Sequence, residues 1–302
     1  MSKANTPSIL ITGATGNIGR ELTKRLSSQN IPFRAMVRSR KGADAIAAME
    51  AGEIVIADFN DSESLANALG EIDRAFLLTN SSEQAEGQQC TFVDVAKRVG
   101  VKHIVKLSQW AADANSPVRF LRYHAAVEQH IKESGLSYTL LRPNLFMQGL
   151  LAFREPIMTQ GKFFAAAGTA KISAIDVRDI AAAAVAALTE DGHEGKTYDL
   201  TGPEALSHSE MAAKLSQVLQ RQVEYVDVPP EAMKDALLRV GIPLWQADGL
   251  VEDYAHYRRG EAATIASGVE DATGAPPGSF YSFIRDYAPA FSKVIKVTGA
   301  EL

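Results

Sequence analysis

Residues 8–26, SILITGATGNIGRELTKRL, join a short apolar run, glycines at three-residue spacing and an amphipathic pattern. They read as a strand, a phosphate-binding turn and a helix. In that reading Gly13 permits the tight turn out of the strand, Gly16 lets a pyrophosphate approach the backbone, and Gly19 lets the helix pack closely. The unpaired N–H groups and positive dipole end at the start of the helix favour an anion without any basic side chain. A dinucleotide is the expected ligand, with Gly13, Thr15, Gly16, Asn17, Ile18 and Gly19 as its contacts. The spacing is GxxGxxG where the usual fingerprint is GxGxxG, so the surrounding sequence has to carry the inference.

That context lies in residues 32–42, PFRAMVRSRKG, which read as a second buried strand. At its end an NAD enzyme usually places Asp or Glu to hold the ribose. This chain has Arg38, Ser39, Arg40 and Lys41, with no carboxylate until Asp44. A 2'-phosphate is favoured there, so NADP(H) is the expected cofactor, with Arg38, Ser39 and Lys41 near that phosphate. Arg38 is the best single candidate because its planar guanidinium can pair with phosphate and stack on adenine.

Strand-like and helix-like segments then alternate: EIVIAD, RAFLL, HIVKLS and YTLLRP, separated by SESLANALG and GQQCTFVDVAKRVG. Such alternation predicts an α/β fold of the Rossmann type, a doubly wound parallel sheet with helices on both faces. Ligands of these sheets sit beyond the carboxyl ends of the strands. The expected cofactor contacts therefore include Asp58, Phe59, Leu78, Thr79, Asn80, Pro143 and Asn144. From Gly149 the pattern leaves the sheet, returns with KISAIDVRDIAAAAVAAL and KTYDLTGPE, and becomes mostly helical after Glu204. The expected organisation is a dinucleotide-binding domain of residues 1–148 and 172–203, and a smaller, mostly helical substrate-binding lobe of residues 149–171 and 204–302. Asp61 and Asp179 are the expected helix-terminal residues of SESLANAL and of the alanine-rich helix.

The bulk composition narrows the function classes. With 302 residues, 46% hydrophobic and 22% charged, the chain has ordinary globular composition and can bury a sizeable core. A net charge of -5, no long basic run and 7% aromatic residues speak against a nucleic-acid partner. Cys90 is the single cysteine, which rules out an intrachain disulfide and a thiolate metal site. The longest apolar stretch, IAAAAVAAL, is too short to span a bilayer and reads as a buried helix. The start, MSKANTPSIL, lacks the apolar region of a secretory signal. A cytoplasmic protein with no membrane partner is expected, and a homodimer is compatible with it.

If the cofactor delivers hydride, the protein must place the acceptor and protonate or stabilise the product. Short-chain reductases do this with Ser, Tyr and Lys, the last two in YxxxK. Ser108 and Tyr123 suit the first two roles, but Val127 stands where the lysine belongs. Without that cation a phenol of pKa ~10 is a poor proton relay at neutral pH. His124 is the next candidate, since it titrates near neutrality and starts a helix after the Ser108 strand; an equally weighted reading is a histidine bonded to backbone. His130, His193, His208 and His256 show no metal-ligand spacing, and no GxSxG elbow is present. No metal is expected. Asn144 could bond the nicotinamide amide or the acceptor. Gln109 and Trp110, together with Phe146, Met147, Phe153, Phe163, Phe164, Trp245, Tyr254 and Tyr257, are candidates for an acceptor pocket at the lobe junction, although most aromatic residues are simply core.

TGATGNIG, VRSRKG, VKHIVKLS followed by YHAAVEQHIKESGLSYTLLRPNLFMQ, then AIDVRDIAAAAVAAL and KTYDLTGPE, together resemble the NmrA-like atypical short-chain dehydrogenases. The late segment YRRGEAATIASGVEDATGAPPGSFYSFIRDYA resembles the end of that family, so the likeness runs through nearly the whole chain. The resemblance implies NADPH across Gly13 to Gly19, Arg38 and Lys41 near the 2'-phosphate, and the nicotinamide near Thr79, Ser108 and Asn144. Its nearest branches include NADPH-dependent quinone reductases and triphenylmethane-dye or azo-dye reductases, which also lack the YxxxK lysine. It therefore implies direct hydride transfer to a small, flat aromatic acceptor. The same family contains NADP(H)-binding redox sensors with little turnover, which is the alternative role. A sugar-nucleotide epimerase shares the fold but normally uses YxxxK.

Overall fold

A computed structural model describes residues 7–44 and 52–292 of the chain. Its centre is a sheet of seven parallel strands among the described residues. They are β1 (Ile9–Ile11), β2 (Phe33–Val37), β3 (Gly52–Ile56), β4 (Arg74–Leu77), β5 (His103–Leu107), β6 (Ser137–Pro143) and, later in the chain, β9 (Lys196–Leu200), in spatial order β3-β2-β1-β4-β5-β6-β9. The order reverses between β1 and β4, which opens a crevice at their carboxyl ends. The apolar runs are buried on both faces: β1, for example, has no residue more than 4% exposed.

Helices cover the two faces. On one side α1 (Asn17–Ser28) packs on α7 (Val177–Thr189), backed by α11 (Gly268–Thr273). Leu22 and Leu26 of α1 are fully buried there, each worth roughly 1.5–3 kcal/mol of transfer free energy. The alanines of α7 let it lie close against its neighbours, so IAAAAVAAL is a buried helix, as its composition suggests. On the other side lie α3 (Ser62–Leu69), α4 (Ala85–Val99) and α5 (Arg119–Ser134). A short helix, α2 (Arg40–Asp44), follows β2.

The remaining elements form a third cluster with its own apolar centre. They comprise α6 (Arg154–Gln160), β7 (Lys162–Ala165), β8 (Lys171–Ile172), β10 (Leu206–Ser207), α8 (His208–Leu219), β11 (Glu224–Asp227) and α12 (Phe280–Tyr287). Beside them α9 (Pro230–Arg239) packs on α10 (Leu244–Arg258), which in turn lies against α5. β7 pairs in parallel with β11, and β8 pairs antiparallel with β10. The strand read in KISAID is therefore outside the main sheet, because its backbone partners come from Leu206 and Ser207.

One helix start differs from the sequence reading. The alanine-rich helix begins at Val177 with Asp176 as its N-cap, whose Oδ1 accepts from Arg178 N at 2.8 Å. Asp179 sits in the first turn and accepts from Gly278 N at 2.9 Å, tying the carboxyl-terminal segment to the helix. Asp61 is the N-cap of α3, accepting from Glu63 N and Ser64 N at 3.0 and 3.1 Å.

Candidate functional site

The crevice at the carboxyl ends of β1, β2, β4, β5 and β6 has a volume of about 940 Å³, near the top of the ~300–1,000 Å³ usual for small-molecule sites. At one end stands the glycine turn. Gly13 has φ +63°, a left-handed conformation suited to glycine, and its carbonyl accepts from Gly16 N at 3.0 Å. A Cβ on Gly19 would lie 2.1 Å from that carbonyl oxygen and 2.6 Å from Ala14 Cα, so Gly19 serves the contact between helix and turn. Gly16 is the N-cap of α1 and supplies no side-chain hydrogen bond to the first turn. Thr15, Gly16 and Asn17 are exposed there, and with Gly13 and Ile18 they line the crevice. A dinucleotide pyrophosphate fits this cradle: bare backbone donors, a positive helix end and no Cβ in the way.

Along one wall Arg38 is exposed and lines the crevice. Ser39 and Lys41 are exposed too, but they are not among the lining residues. The wall continues through Asp58 and Phe59. Asp58 Oδ1 is occupied locally, accepting from Asn60 N at 2.8 Å and Asn60 Nδ2 at 2.9 Å. Leu78, Thr79 and Asn80 follow β4 and form the floor, where Thr12 Oγ1 accepts from Leu78 N at 2.7 Å and clamps β1 to β4.

Ser108, Tyr123 and His124 come together in the crevice, but in environments that the sequence does not reveal. The Ser108 hydroxyl donates to Glu128 Oε1 at 2.5 Å, and Glu128 is itself paired with Arg142. Its proton is thus directed into the protein, away from the role of polarising an acceptor. Tyr123 is 5% exposed, its hydroxyl lies 3.1 Å from Ser81 Oγ, and burial pushes its pKa up to about 12, so it stays a neutral phenol. Val127, in the lysine position of YxxxK, is buried in the apolar core. His124 stacks on Tyr123 with ring centroids 4.1 Å apart. Its Nδ1 is bonded not to backbone but to the ammonium of Lys106, at 3.0 Å. Asn144 is also committed: Nδ2 donates to Ser173 Oγ and Ala262 O at 2.9 Å, and Oδ1 accepts from Leu145 N at 2.8 Å. Its side chain holds two segments together rather than standing free for a ligand, while Pro143 beside it lines the crevice.

Helix α10 closes the other end. Gln109 Nε2 lies 3.0 Å from both carboxylate oxygens of Asp253, and the Tyr257 hydroxyl donates to Asp253 Oδ2 at 2.8 Å. Burial raises Asp253 to about pKa 6. Phe120, Leu250, Phe146 and Trp110 complete this chamber. Trp110 is anchored by donation from Nε1 to Glu261 O at 3.0 Å.

Several expected pocket residues lie elsewhere. Trp245 packs behind the wall on Phe120, beneath the Arg119 guanidinium. Tyr254 points to His208 and Tyr257. Met147 is 2% exposed and belongs, with Phe153 and Phe163, to the third cluster's core; Phe164 is also outside the lining. Helical periodicity places these residues on α10 or the neighbouring segments but does not say which face meets the crevice. Conversely, Lys106, Glu128, Asp253 and Leu250 are not marked by any motif. Lys106 alone carries a local signal, a cation within the apolar strand HIVKL. Among the described residues no cluster of three or more potential metal ligands occurs, and no helix is long and apolar enough to cross a membrane.

The NmrA-like family profile matches residues 5–282. The chain is 37% identical over 283 residues to an NAD(P)H azoreductase of Xenophilus azovorans, covering 94% of this chain and 99% of that protein. The crystal structure of an NADPH-dependent quinone oxidoreductase from Escherichia coli complexed with NADPH superposes with a TM-score of 0.83 at 30% identity, covering 93% of this chain and 99% of that one. A triphenylmethane reductase from Citrobacter sp. complexed with NADP(H) gives 0.79 at 27% identity over 91% and 98% of the two chains.

Proposed function

This chain belongs to the NmrA-like family, and from that membership we propose that it is an NADPH-dependent oxidoreductase that reduces a flat electrophile, quinone-like or dye-like, by direct hydride transfer. The observation that carries this reading is the open chamber continuous with the glycine cradle, lined by Phe120, Tyr123, His124, Leu250 and Tyr257. The relatives named as azo, quinone and triphenylmethane reductases support the same acceptor class.

In this reading the turn from Gly13 to Gly19 and the start of α1 hold the pyrophosphate, and Arg38 takes the 2'-phosphate. Asp58, Phe59, Leu78, Thr79, Asn80 and Pro143 line the remaining cofactor groove. Bound NADPH supplies a hydride. The chain's own work is placement: the sheet edge fixes one partner, and α10 with Phe120 and Phe146 fixes the other. Residues 149–171 and 204–302 act as the acceptor-binding lobe on residues 1–148 and 172–203, apart from α11, which backs the α1/α7 face of the sheet. Gln109, Trp110, Phe146 and Tyr257 are the acceptor-facing set.

The test is NADPH oxidation against a panel of quinones, azo dyes and triphenylmethane dyes, with NADH as matched control. Saturable turnover favouring NADPH is expected. Tight NADPH binding with no oxidation across the panel would replace the reductase with a sensor.

A further inference from the structure

Lys106 is wholly buried, and its ammonium makes three hydrogen bonds: to Gln89 Oε1 at 2.8 Å, to Leu107 O at 3.0 Å and to His124 Nδ1 at 3.0 Å. Gln89 presents Oε1 to the ammonium while its Nε2 donates to Thr79 Oγ1 at 2.8 Å. Two of the three partners are thus acceptors, and an ammonium has donors only. The third donor must then meet a lone pair on His124 Nδ1, which puts the imidazole proton on Nε2. Nε2 makes no hydrogen bond among the described residues, and the ring lines the crevice.

An amine at Lys106 has a different requirement. With Gln89 in the same orientation, it keeps two donors for Gln89 and Leu107 and turns its lone pair to the ring, so Nδ1 carries the proton and Nε2 becomes the acceptor. The imidazole tautomer therefore reports the charge on Lys106. We propose that Lys106 and His124 form a proton relay to the crevice: with a quinone or azo acceptor, Nε2 gives its proton to the anion left by hydride transfer while Nδ1 takes one from Lys106 Nζ. The ring stays neutral, the ammonium becomes an amine, and the product gains the proton that accompanies the hydride. A proton from bulk solvent, passed to Nε2 through a crevice water, reverses the shift and recharges Lys106. Lys106 is a positioning residue and proton reservoir acting through His124; the delivery step rests on the reductase reading, whereas the tautomer switch does not.

The surroundings suit this switch. Burial away from any bonded carboxylate lowers Lys106 to about pKa 7, and the same burial beside that cation holds His124 well below its ordinary value, so the ring does not become imidazolium. The titratable groups facing Lys106 are Cys90 on α4 and Glu128 on α5. The Cys90 thiol is pushed up to about 11 and stays neutral; Glu128 is held by Ser108 and Arg142. Asp253, across the crevice, bonds Gln109 and Tyr257, not His124.

Nitrogen NMR of the 15N-histidine-labelled full chain, free of cofactor, tests the switch, with the His124 signals assigned by their loss in H124Q. As pH rises through neutrality, Nδ1 should move from the signal of an unprotonated ring nitrogen to that of a protonated one, and Nε2 the reverse. K106M should abolish the movement, and K106Q serves if K106M does not fold. A wild-type ring that keeps one tautomer across the range, or that titrates to imidazolium near neutrality, overturns the proposal; so does a switch that persists without the lysine. Where turnover of a quinone or azo dye is found, kcat should fall roughly tenfold per pH unit above the Lys106 titration, and the lysine variants should lose that limb. Absence of turnover removes the reductase reading and leaves the NMR result to stand or fall alone.

Discussion

Gly16 and Gly19 sit three residues apart on the same turn, yet alanine at Gly16 should weaken only the ligand, and alanine at Gly19 both ligand and fold. At Gly19 a Cβ would be 2.1 Å from Gly13 O and 2.6 Å from Ala14 Cα, both backbone, so helix or turn must give by about 1 Å before a 3.0 Å contact is reached. Overpacking of that kind costs ~1–3 kcal/mol. At roughly 2–4 °C per kcal/mol for a domain of this class, G19A should lower Tm by several degrees. At Gly16 the backbone is extended, with φ −79°, and the nearest atom to a Cβ is Gly13 O at an ordinary 3.4 Å. G16A should therefore keep its stability within about 1 kcal/mol of wild type, alanine's smaller unfolded-state entropy being offset by its poorer capping. Only a ligand lying against the backbone would meet the new methyl. Calorimetric titration with NADPH beside thermal unfolding separates the cases: G16A is expected to lose at least about tenfold in affinity, ~1.4 kcal/mol, at unchanged Tm. G19A should lose both. Wild-type affinity in G16A would refute the cradle, and unchanged stability in G19A would refute the close contact.

Arg38→Ala should weaken NADPH by roughly ten- to a hundred-fold, the worth of one charged hydrogen bond of ~1.5–3 kcal/mol, and barely alter NADH; equal losses for both cofactors in titrations would count against a 2'-phosphate contact. Asp253, raised to about 6 in the fold, binds its proton more tightly there than in the unfolded chain. Its contribution is thus fully present below about pH 4 and lost as pH climbs to about 6, a change on the order of 3 kcal/mol. Denaturant unfolding across that window should show the decline in wild type and not in D253N, and parallel profiles would remove the burial argument. Asp61→Ala should cost ~1 kcal/mol by stripping the cap from α3, read as a lower denaturant midpoint with an unchanged slope.

The sheet was legible because its strands are continuous apolar runs and its first turn needs glycines in a fixed order. SILI, FRAMV, RAFLL and HIVKLS all fall on central strands, since burial on both faces leaves a signal that needs no partner to be read. Asp176 was hidden by Asp179: both are acidic residues at the start of one helix, and only backbone geometry tells the cap from the first turn. The crevice's first wall was readable for the same reason as the sheet, because residues just past each strand must border it. Its second wall was not. Asp253, Tyr257 and Leu250 reach the site from α10, more than a hundred residues beyond Gln109 and Ser108, and the helix has nearly equal polarity all round. Sequence pattern could thus name aromatic residues of α10 but not choose Tyr257 over Trp245 or Tyr254. Ser108 and Asn144 stood where expected, yet their polar atoms are taken by Glu128, Ser173 and Ala262, partners that only tertiary packing brings near.

Direct transfer from NADPH to the acceptor is tested most closely by isotope. A cationic triphenylmethane dye takes hydride at carbon, so the label is not exchanged with water. Reduction with NADPH deuterated at either face of C4 should give a leuco product one mass unit heavier from one face only. Unlabelled product from both faces, or no reduction despite tight NADPH binding, would contradict the account.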